Sequence, residues 1–327
     1  MMGRSGSKSL IIGAFALIYL VWGSTYLSIA LALNSIPPFL HMGSRSVLGG
    51  LALIAGACMN GQRGATAIDW LRASVCGALF FVGCHGVLAY AQQHVPSGTA
   101  ALLLATIPFW IALLEFVIPS GTRSTLTQVL LLIPGFVGVG LIVASQMGSG
   151  SSRVGDLLLL LAASASWALA TMLSRRWSPA RSAIAFSGME LIGGGIILLA
   201  ISVATREPAI FSLQAVTAKA LAGWLYLTVF GIVATFAAYV WLLKQVPPKL
   251  VATYAFVNPV VAVILGWAVL GERLSASVSI GALLVIASVA GVLLSGKSGE
   301  TGSRPAGRRQ RSGKDSTMSD GVGRPSA

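Results

Sequence analysis

Two charged side chains lie deep inside apolar stretches of this 327-residue chain. Arg45 is eight residues into an apolar segment near 37–59, and Glu190 is eight residues into another near 182–204. At 1.5 Å per residue, each would lie about 12 Å below the surface of a bilayer whose apolar core is about 30 Å thick. A charge at such a depth is unfavourable by about 2.5–3.5 kcal/mol, so we expect both residues to be functional.

Arg45 and Glu190 are compatible with two kinds of chemistry. They could form an ion pair that joins the two segments and opens when the segments move. Alternatively, Arg45 could hold the carboxylate of a bound solute while Glu190 holds its amine or carries a proton. His85 is the one histidine deep in an apolar stretch, which makes it a second candidate for proton transfer; a structural core histidine is the alternative.

Two motifs place a proline in the middle of an apolar stretch: Thr106-Ile107-Pro108 and Asn258-Pro259. A proline inside a helix removes one backbone hydrogen bond and frees a carbonyl group. Pro108 and Pro259 therefore predict helix kinks or gating points that expose polar backbone to a cavity. The Thr106 hydroxyl and the Asn258 amide could bind a solute there, and a static kink is the alternative.

Aromatic residues that accompany polar ones complete the set of candidate binding residues. Tyr and Trp combine an apolar ring with one polar atom, so they suit the wall of a partly polar cavity. The candidates and their hydroxyl-bearing neighbours are Trp22, Tyr90, Tyr254, Ser24 and Thr25. Packing within the protein is the alternative role for each ring.

The chain has none of the motifs that would indicate an intramembrane enzyme or a nucleotide-driven pump. H-E-x-x-H, G-x-S-x-G and G-x-x-x-x-G-K-[ST] do not occur in it. Its cysteines, Cys58, Cys76 and Cys84, lie in apolar runs without metal-ligand spacing. We therefore expect no catalytic residue, no metal and no cofactor. The net charge is +13, but no basic patch interleaved with aromatic residues exists, so we expect no nucleic-acid partner.

The composition is typical of a polytopic membrane protein. Only 9% of the residues are charged, against about 25% in soluble domains, and 55% are hydrophobic. A soluble chain of this length could not cover its surface with so few charges. Ten segments approach the roughly 20 residues that a spanning helix needs. They lie near 10–32, 37–59, 70–91, 97–119, 125–146, 155–174, 182–204, 218–242, 248–270 and 276–295.

The distribution of positive charge predicts the orientation in the membrane. With the N-terminus in the cytoplasm, 17 Lys and Arg residues fall on the inner side and four on the outer side. We therefore predict a multi-pass protein of the cytoplasmic (inner) membrane with both termini in the cytoplasm. Residues 297–327 are rich in Gly, Ser and Arg, which predicts a disordered basic cytoplasmic tail.

The chain also repeats itself. Gly43-Ser44-Arg45 corresponds to Gly188-Met189-Glu190 at an offset of 145 residues. A second correspondence, at an offset of 151 residues, matches Val95-Pro96 and Pro108 with Val246-Pro247 and Pro259. Each half has five spans, an odd number, so the second half must enter the membrane inverted. We predict an all-α integral membrane fold with ten transmembrane helices in two inverted five-helix repeats, at 1–146 and 147–296.

These residues resemble those of the drug/metabolite transporter superfamily, and in particular its EamA-type members with ten helices. The resemblance covers about residues 10–295. It rests on Trp22-Gly23-Ser24-Thr25, Pro37-Pro38 with Arg45, Val95-Pro96-Ser97-Gly98 to Pro108, Tyr254 to Asn258-Pro259, and Gly271-Glu272-Arg273-Leu274. It implies a central cavity lined mainly by helices 1–4 and 6–9, with helices 5 and 10 at the periphery. The Gly-Glu-Arg-like turn of the first half is changed here to Gly121-Thr122-Arg123.

The same resemblance implies secondary transport of a small organic molecule, often outward, such as an amino acid, a purine-like metabolite or a drug. An inverted repeat is a recurring plan of transporters that work by alternating access around a site near the midplane. We therefore expect an exporter of a small organic metabolite, with that solute and the lipid bilayer as its partners. An importer or exchanger would also fit the sequence, and a membrane receptor or scaffold fits less well.

Overall fold

The computed structural model describes residues 8–62, 64–117, 126–148, 153–178, 183–246, 251, 254–273 and 275–295. Across these residues the chain is helical and contains no strand. The predicted tail 297–327 and the turn Gly121-Thr122-Arg123 lie outside the described residues.

In the described part of the chain, ten apolar helices follow one another at the positions of the ten predicted spans. The first five are α1 (Lys8–Gly23 and Thr25–Leu33), α2 (Pro38–Met59), α3 (Ala67–Ala91), α4 (Ser97–Leu104 and Ile107–Val117) and α5 (Leu126–Gly148). The next three are α6 (Val154–Trp177), α7 (Ala183–Ala204) and α8 (Ala218–Tyr226, Leu227–Ala234 and Thr235–Gln245). The last two are α9 (Tyr254–Leu270) and α10 (Ala276–Ser295).

Six helices, α1 to α4 with α6 and α7, are long and apolar enough to cross a bilayer. The other four contain shorter apolar stretches, Leu130–Gln146, Ala218–Ala234, Phe256–Leu270 and Ala276–Val292. Large aliphatic side chains point outward along the helices: Leu20, Leu51 and Leu283 expose more than half of their surface. Such a surface suits lipid and would be unfavourable in water.

Helices α2 and α7 cross in the middle of the fold, where glycines allow their backbones to touch. A Cβ atom at Gly50 would lie 2.7 Å from the carbonyl oxygen of Gly188, and one at Gly195 would lie 3.1 Å from the carbonyl oxygen of Gly43. These four glycines are the ones that the repeat relates, Gly43 to Gly188 and Gly50 to Gly195. The crossing is therefore nearly symmetric, as expected if a twofold axis passes through it.

In most of the remaining contacts, a helix of one half packs against helices of the other half. Helix α1 packs against α8 and α9 of the second half, and α6 packs in the same way against α3 and α4 of the first. Helices α5 and α10 pack mainly on each other. A site near the centre is therefore surrounded by helices from both repeats.

Two helices change their winding at corresponding places. Residues Ala78–Gly86 of α3 and Leu227–Ala234 of α8 form π-helix, with ordinary α-helix before and after each segment. Helix α4 is interrupted at Ala105 and Thr106, just before Pro108. Short π segments inside α-helices occur frequently at functional sites, and here they occur once in each repeat.

Candidate functional site

Arg45 lies on α2 in the interior of the fold, with only 2% of its surface exposed. Its Nε and Nη1 atoms have no hydrogen-bond partner in the described part of the chain. His41 lies one turn earlier on the same helix, and His85 comes from the π segment of α3. The charge of Arg45 acts on both imidazoles. The three residues form a buried basic cluster, which we call the Arg45 cluster.

Glu190 lies on α7 and is 5% exposed. The hydroxyl groups of Ser174 on α6 and Ser187 on α7 lie beside its carboxylate, and Cys76 of α3 is close enough for an electrostatic interaction with it. Its Oε1 atom has no hydrogen-bond partner among the described residues. Helix α3 presses against this turn, because a Cβ at Gly77 would lie 2.1 Å from the Glu190 carbonyl oxygen.

Arg45 and Glu190 do not form an ion pair with each other; the one salt bridge among the described residues joins His94 and Asp156 at 3.2 Å. The glycine contacts between α2 and α7 show how Arg45 and Glu190 are offset along the two helices. A Cβ at Gly195 would touch the turn of α2 that contains Arg45, so Arg45 is level with Gly195. Glu190 precedes Gly195 by five residues, which corresponds to about 7.5 Å along the helix. The two charges therefore occupy neighbouring levels.

Trp22 connects α1 to the second half. Its indole Nε1 donates a hydrogen bond to the carbonyl of Gly231, 3.2 Å away in the π segment of α8. Its ring packs edge-on against Tyr254 of α9, with centroids 4.8 Å apart, and lies 5.5 Å from Tyr239. The structure thus brings Trp22 and Tyr254 together, as an aromatic wall between the halves.

Ser24 and Thr25, the polar neighbours of Trp22, use their hydroxyl groups within the protein. Ser24 lies between the two segments of α1, and its Oγ is 2.7 Å from the hydroxyl of Tyr226 on α8. Thr25 donates to the carbonyl of Trp22. Both hydroxyls would have to exchange these partners before they could bind a solute.

The two proline motifs differ in how their polar residues are bonded. At the break in α4, the Thr106 hydroxyl donates to the carbonyl of Leu103 and lies 2.9 Å from Ser164 Oγ on α6. In α9, Pro259 lies inside a continuous helix, and the Oδ1 atom of Asn258 has no hydrogen-bond partner among the described residues. Asn258 is therefore the better placed of the two to accept a hydrogen bond from a ligand.

His85 lies at the boundary between the Arg45 cluster and an aromatic group. Its ring centroid is 5.0 Å from that of Trp167 on α6 and 5.5 Å from that of Phe81 on α3. On the same face of α6, Ser166 donates to the Leu79 carbonyl in the π segment, at 2.8 Å. This contact between α6 and the π segment of α3 corresponds to the one between Trp22 and the π segment of α8.

Tyr90 is placed apart from the other candidates. It is 38% exposed, and its ring stacks on Phe39 at the start of α2, with centroids 6.2 Å apart. Its other aromatic neighbour is His94 in the turn after α3. Tyr90 thus lies towards the end of the bundle where α2 begins.

The sequence did not reveal two carboxylate caps. Glu272, in the turn after α9, accepts hydrogen bonds from the amides of Ser97 at 2.6 Å and Gly98 at 3.0 Å, at the start of α4. Glu207, after α7, accepts from the amides of Phe39 at 3.1 Å and Leu40 at 2.8 Å, at the start of α2.

A helix start leaves amides unpaired and favours negative charge. Each cap therefore ties a segment between two spanning helices of the second half to a helix of the first. Prolines at Pro37-Pro38 and Pro96 mark the helix starts in the sequence, but nothing there indicates which acids reach them.

The arrangement of the described residues suits the binding of a polar solute. Within the described residues, no group of three or more His, Cys, Asp or Glu side chains could hold a metal ion. What the structure assembles is a buried cation, a buried carboxylate and aromatic rings, at the level where the two halves cross. Such polar groups in an apolar surrounding are typical of small-molecule sites.

Family comparisons give this geometry its context. The model of the EamA-like transporter family matches two stretches of the chain, residues 9–144 and 154–294. The chain belongs to the EamA-like transporter family. The predicted all-helical membrane fold with a duplicated repeat, and the resemblance to the drug/metabolite transporter superfamily, are thereby confirmed. Membership also identifies the chain as a membrane transporter.

Curated relatives carry similar names. The chain is 31% identical over 272 residues to the uncharacterized inner membrane transporter YedA of Escherichia coli, covering 80% of this chain and 84% of the relative. It is 24% identical over 283 residues to the uncharacterized transporter YoaV of Bacillus subtilis, with 83% and 92% covered, and 28% identical over 279 residues to Protein PecM of Dickeya dadantii, with 82% and 87% covered. These matches support a multi-pass inner membrane protein.

A solved structure shares the fold of this EamA-like chain. It superposes with a TM-score of 0.58 at 20% sequence identity, and the match covers 88% of this chain and 99% of the other. At that identity the likeness shows the fold alone.

Proposed function

We propose that this protein is a secondary transporter that exports a small organic metabolite across the inner membrane by alternating access. The observation that carries the proposal is the placement of Arg45 and Glu190. Both are buried, they occupy related positions on the crossing helices α2 and α7, and no ion pair joins them in the described chain. A charge kept unpaired near the centre of a membrane domain is favourable only if a solute or water meets it during the cycle.

The substrate site lies where the two repeats face each other. Arg45 and Glu190 bind the charged groups of the solute, and Trp22 and Tyr254, one from each repeat, form the aromatic wall. Asn258 supplies a hydrogen-bond acceptor. Thr106, Ser24, Thr25 and Tyr90 contribute to the lining when the helices move, and Pro108 and Pro259 are the points at which α4 and α9 bend.

Movement of one repeat against the other gives access to each side of the membrane in turn. The caps made by Glu207 and Glu272 join the repeats at the starts of α2 and α4. With both termini in the cytoplasm, these helix starts face outside, so opening to the outside requires the caps to break or to move as a unit. Gln62, which the 145-residue offset relates to Glu207, is neutral, so the corresponding contact inside would be weaker.

A proton is the proposed coupling ion, and Glu190 is its proposed carrier, with His85 as the weaker candidate. Serine hydroxyls beside Glu190 can donate to a carboxylate or accept from a carboxylic acid, so both protonation states are compatible with the site. If Glu190 carries the proton, Glu190→Gln should abolish acceleration by a pH gradient yet retain exchange of labelled for unlabelled solute. A parental response to the gradient in Glu190→Gln would exclude that role.

Flux measurements in liposomes test the function. Purified protein is reconstituted, and a radiolabelled panel of amino acids, nucleobases and cationic drugs is presented with the parent, Arg45→Ala and Glu190→Gln. The assignment is supported by saturable net flux that competing solutes inhibit, that Arg45→Ala loses while still folding, and that no longer responds to a pH gradient in Glu190→Gln. Net flux towards the cytoplasmic face would indicate an importer, and a parent that moves no solute would indicate a receptor or scaffold.

A further inference from the structure

The Arg45 cluster contains more unpaired buried nitrogen than any other place in the described structure. Arg45 Nε and Nη1, both ring nitrogens of His41, and Nδ1 of His85 are all buried and have no hydrogen-bond partner among the described residues. Buried polar atoms nearly always have partners in native proteins, because a buried donor or acceptor without a partner is unfavourable. Five in one cluster indicate that a ligand supplies the missing partners.

The acidic residues that the structure describes do not supply them. Of nine acidic residues, three lie in the tail, and the described six are Asp69, Glu115, Asp156, Glu190, Glu207 and Glu272. Asp69 caps its own helix at Thr66, Asp156 pairs with His94, and Glu115 lies in the last turn of α4.

The other three acids also have their own surroundings. Glu207 and Glu272 accept backbone hydrogen bonds with both carboxylate oxygens. Glu190 lies beside two serines at the neighbouring level. Arg45 thus has no counter-ion in the described chain, whereas its related residue Glu190 has hydroxyl neighbours. The asymmetry between the two related positions means that the missing group is an anion.

The chemistry of the cluster selects a carboxylate among anions. A guanidinium remains charged in proteins and presents a planar fork that binds a carboxylate through two parallel hydrogen bonds. Each imidazole adds at least one N–H donor whatever its protonation state. One fixed positive charge balances a monoanion, while a dianionic phosphate would bring an uncompensated charge into the membrane interior.

The surroundings also indicate what the carboxylate is attached to. On its α6 side, His85 meets Trp167, which in turn packs edge-on against Phe80 with centroids 4.6 Å apart. Phe81 completes this aromatic group. These rings offer an apolar contact next to the cationic end, which suits a molecule with a hydrocarbon or aromatic body.

We propose that Arg45, His41 and His85 bind the carboxylate of an organic monoanion, and that Trp167 and Phe81 contact its apolar body. The proposal rests on the proposed transport function and specifies its substrate class. It assigns a role to His41, which the sequence had not singled out, and it makes the charge of the solute the main determinant of specificity. A solute with the same body but no negative charge leaves the guanidinium unpaired and is excluded.

Matched acid and amide probes test the proposal by binding alone. The purified full chain in detergent is heated with benzoate or benzamide, and with indole-3-acetate or indole-3-acetamide, each at millimolar concentration. We expect each acid to raise the melting temperature and its amide to have no effect. Equal shifts for acid and amide, including no shift with either, would overturn the proposal.

Variants connect the effect to the cluster. Arg45→Gln should weaken binding of the acids by about tenfold or more, because a charge-assisted hydrogen-bond pair is lost. Arg45→Lys keeps the charge without the planar fork, so its affinity for the acids should lie between that of Arg45→Gln and that of the parent. This second variant still tests the assignment if Arg45→Gln does not fold. Arg153→Gln removes a positive charge at the start of α6 and serves as the matched control with parental affinity. Parental affinity in both Arg45 variants would contradict the assignment.

Liposome flux separates this inference from the proposed function. If solutes are transported without preference for acids over amides, the transport function stands and the anion site is wrong. If the acids protect the protein through Arg45 but no solute crosses the membrane, the anion site stands and the transport function is wrong.

Discussion

Arg45 on α2 and Glu190 on α7 are related by the internal repeat, and each lies level with a glycine of the opposite helix. Arg45 faces the level of Gly195, and Glu190 faces that of Gly50. These glycines let the two helices touch at the turns that carry the buried charges. The two charges therefore lie near the crossing but do not form an ion pair. Packing and site geometry are therefore coupled at this crossing.

The first prediction concerns the glycine contact itself. Gly50→Ala places a Cβ 2.7 Å from the Gly188 carbonyl oxygen and 3.0 Å from the Ile192 amide nitrogen, so the helices must separate. We expect a loss of about 1–3 kcal/mol in stability, measured by denaturant unfolding in detergent. Gly56→Ala, on the same helix with open space around it, is the control and should be neutral or slightly stabilising. Equal effects of the two changes would contradict the close crossing.

The second prediction concerns the carboxylate caps. Glu272→Gln removes the negative charge that accepts hydrogen bonds from the amides of Ser97 and Gly98. We expect the free energy that protects these amides from hydrogen exchange to fall by about 1 kcal/mol. Hydrogen exchange measured by mass spectrometry should speed up at the start of α4 and remain parental at the start of α2. Glu207→Gln should give the reverse pattern, so each variant is the control for the other. Exchange that is unchanged in both would mean that the caps do not hold these helices.

Much of the fold could be predicted from the sequence because its signals are local. Lipid contact requires long apolar runs, and prolines mark where α2 and α4 begin, so the ten helices were recognised. The match of Gly43-Ser44-Arg45 to Gly188-Met189-Glu190 predicted the internal repeat, and the two matches of the family model confirm the duplication.

Features that depend on distant partners could not be predicted. The cap at α4 joins Glu272 to residues more than 170 positions earlier in the chain, and neither the turn at Glu272 nor the helix start at Ser97 indicates the other in the sequence. The π segments of α3 and α8 have no residue pattern that separates them from α-helix. The site assignments themselves remain predictions.

A third prediction tests the link between α1 and the π segment of α8. Trp22→Phe removes the Nε1 donor to the Gly231 carbonyl while keeping an aromatic ring beside Tyr254. We expect a loss of about 1 kcal/mol in the free energy of unfolding. Trp267→Phe, at a position that is 64% exposed, is the matched control and should be close to neutral. If Trp22→Phe is as stable as the control, the hydrogen bond contributes little.

A fourth prediction concerns the break in α4. The hydroxyls of Thr106 and Ser164 lie 2.9 Å apart in a buried position, so Thr106→Val and Ser164→Ala should show a coupling energy of about 1 kcal/mol in a double-mutant cycle of unfolding. Strict additivity would show that the two hydroxyls do not interact. In that case, a loss of flux in Thr106→Val would favour a direct role in solute binding.

The most direct test of a carrier centred on Arg45 is solute counterflow in liposomes. Vesicles that contain the purified protein are loaded with an unlabelled organic acid and diluted into a trace of the same labelled acid. The parent and Arg153→Gln are expected to accumulate label transiently above its equilibrium level, because an alternating site exchanges one solute for another, and Arg45→Gln is expected to lose this overshoot. The account would be contradicted if the parent shows no overshoot with any organic acid tested, or if Arg45→Gln shows the parental overshoot.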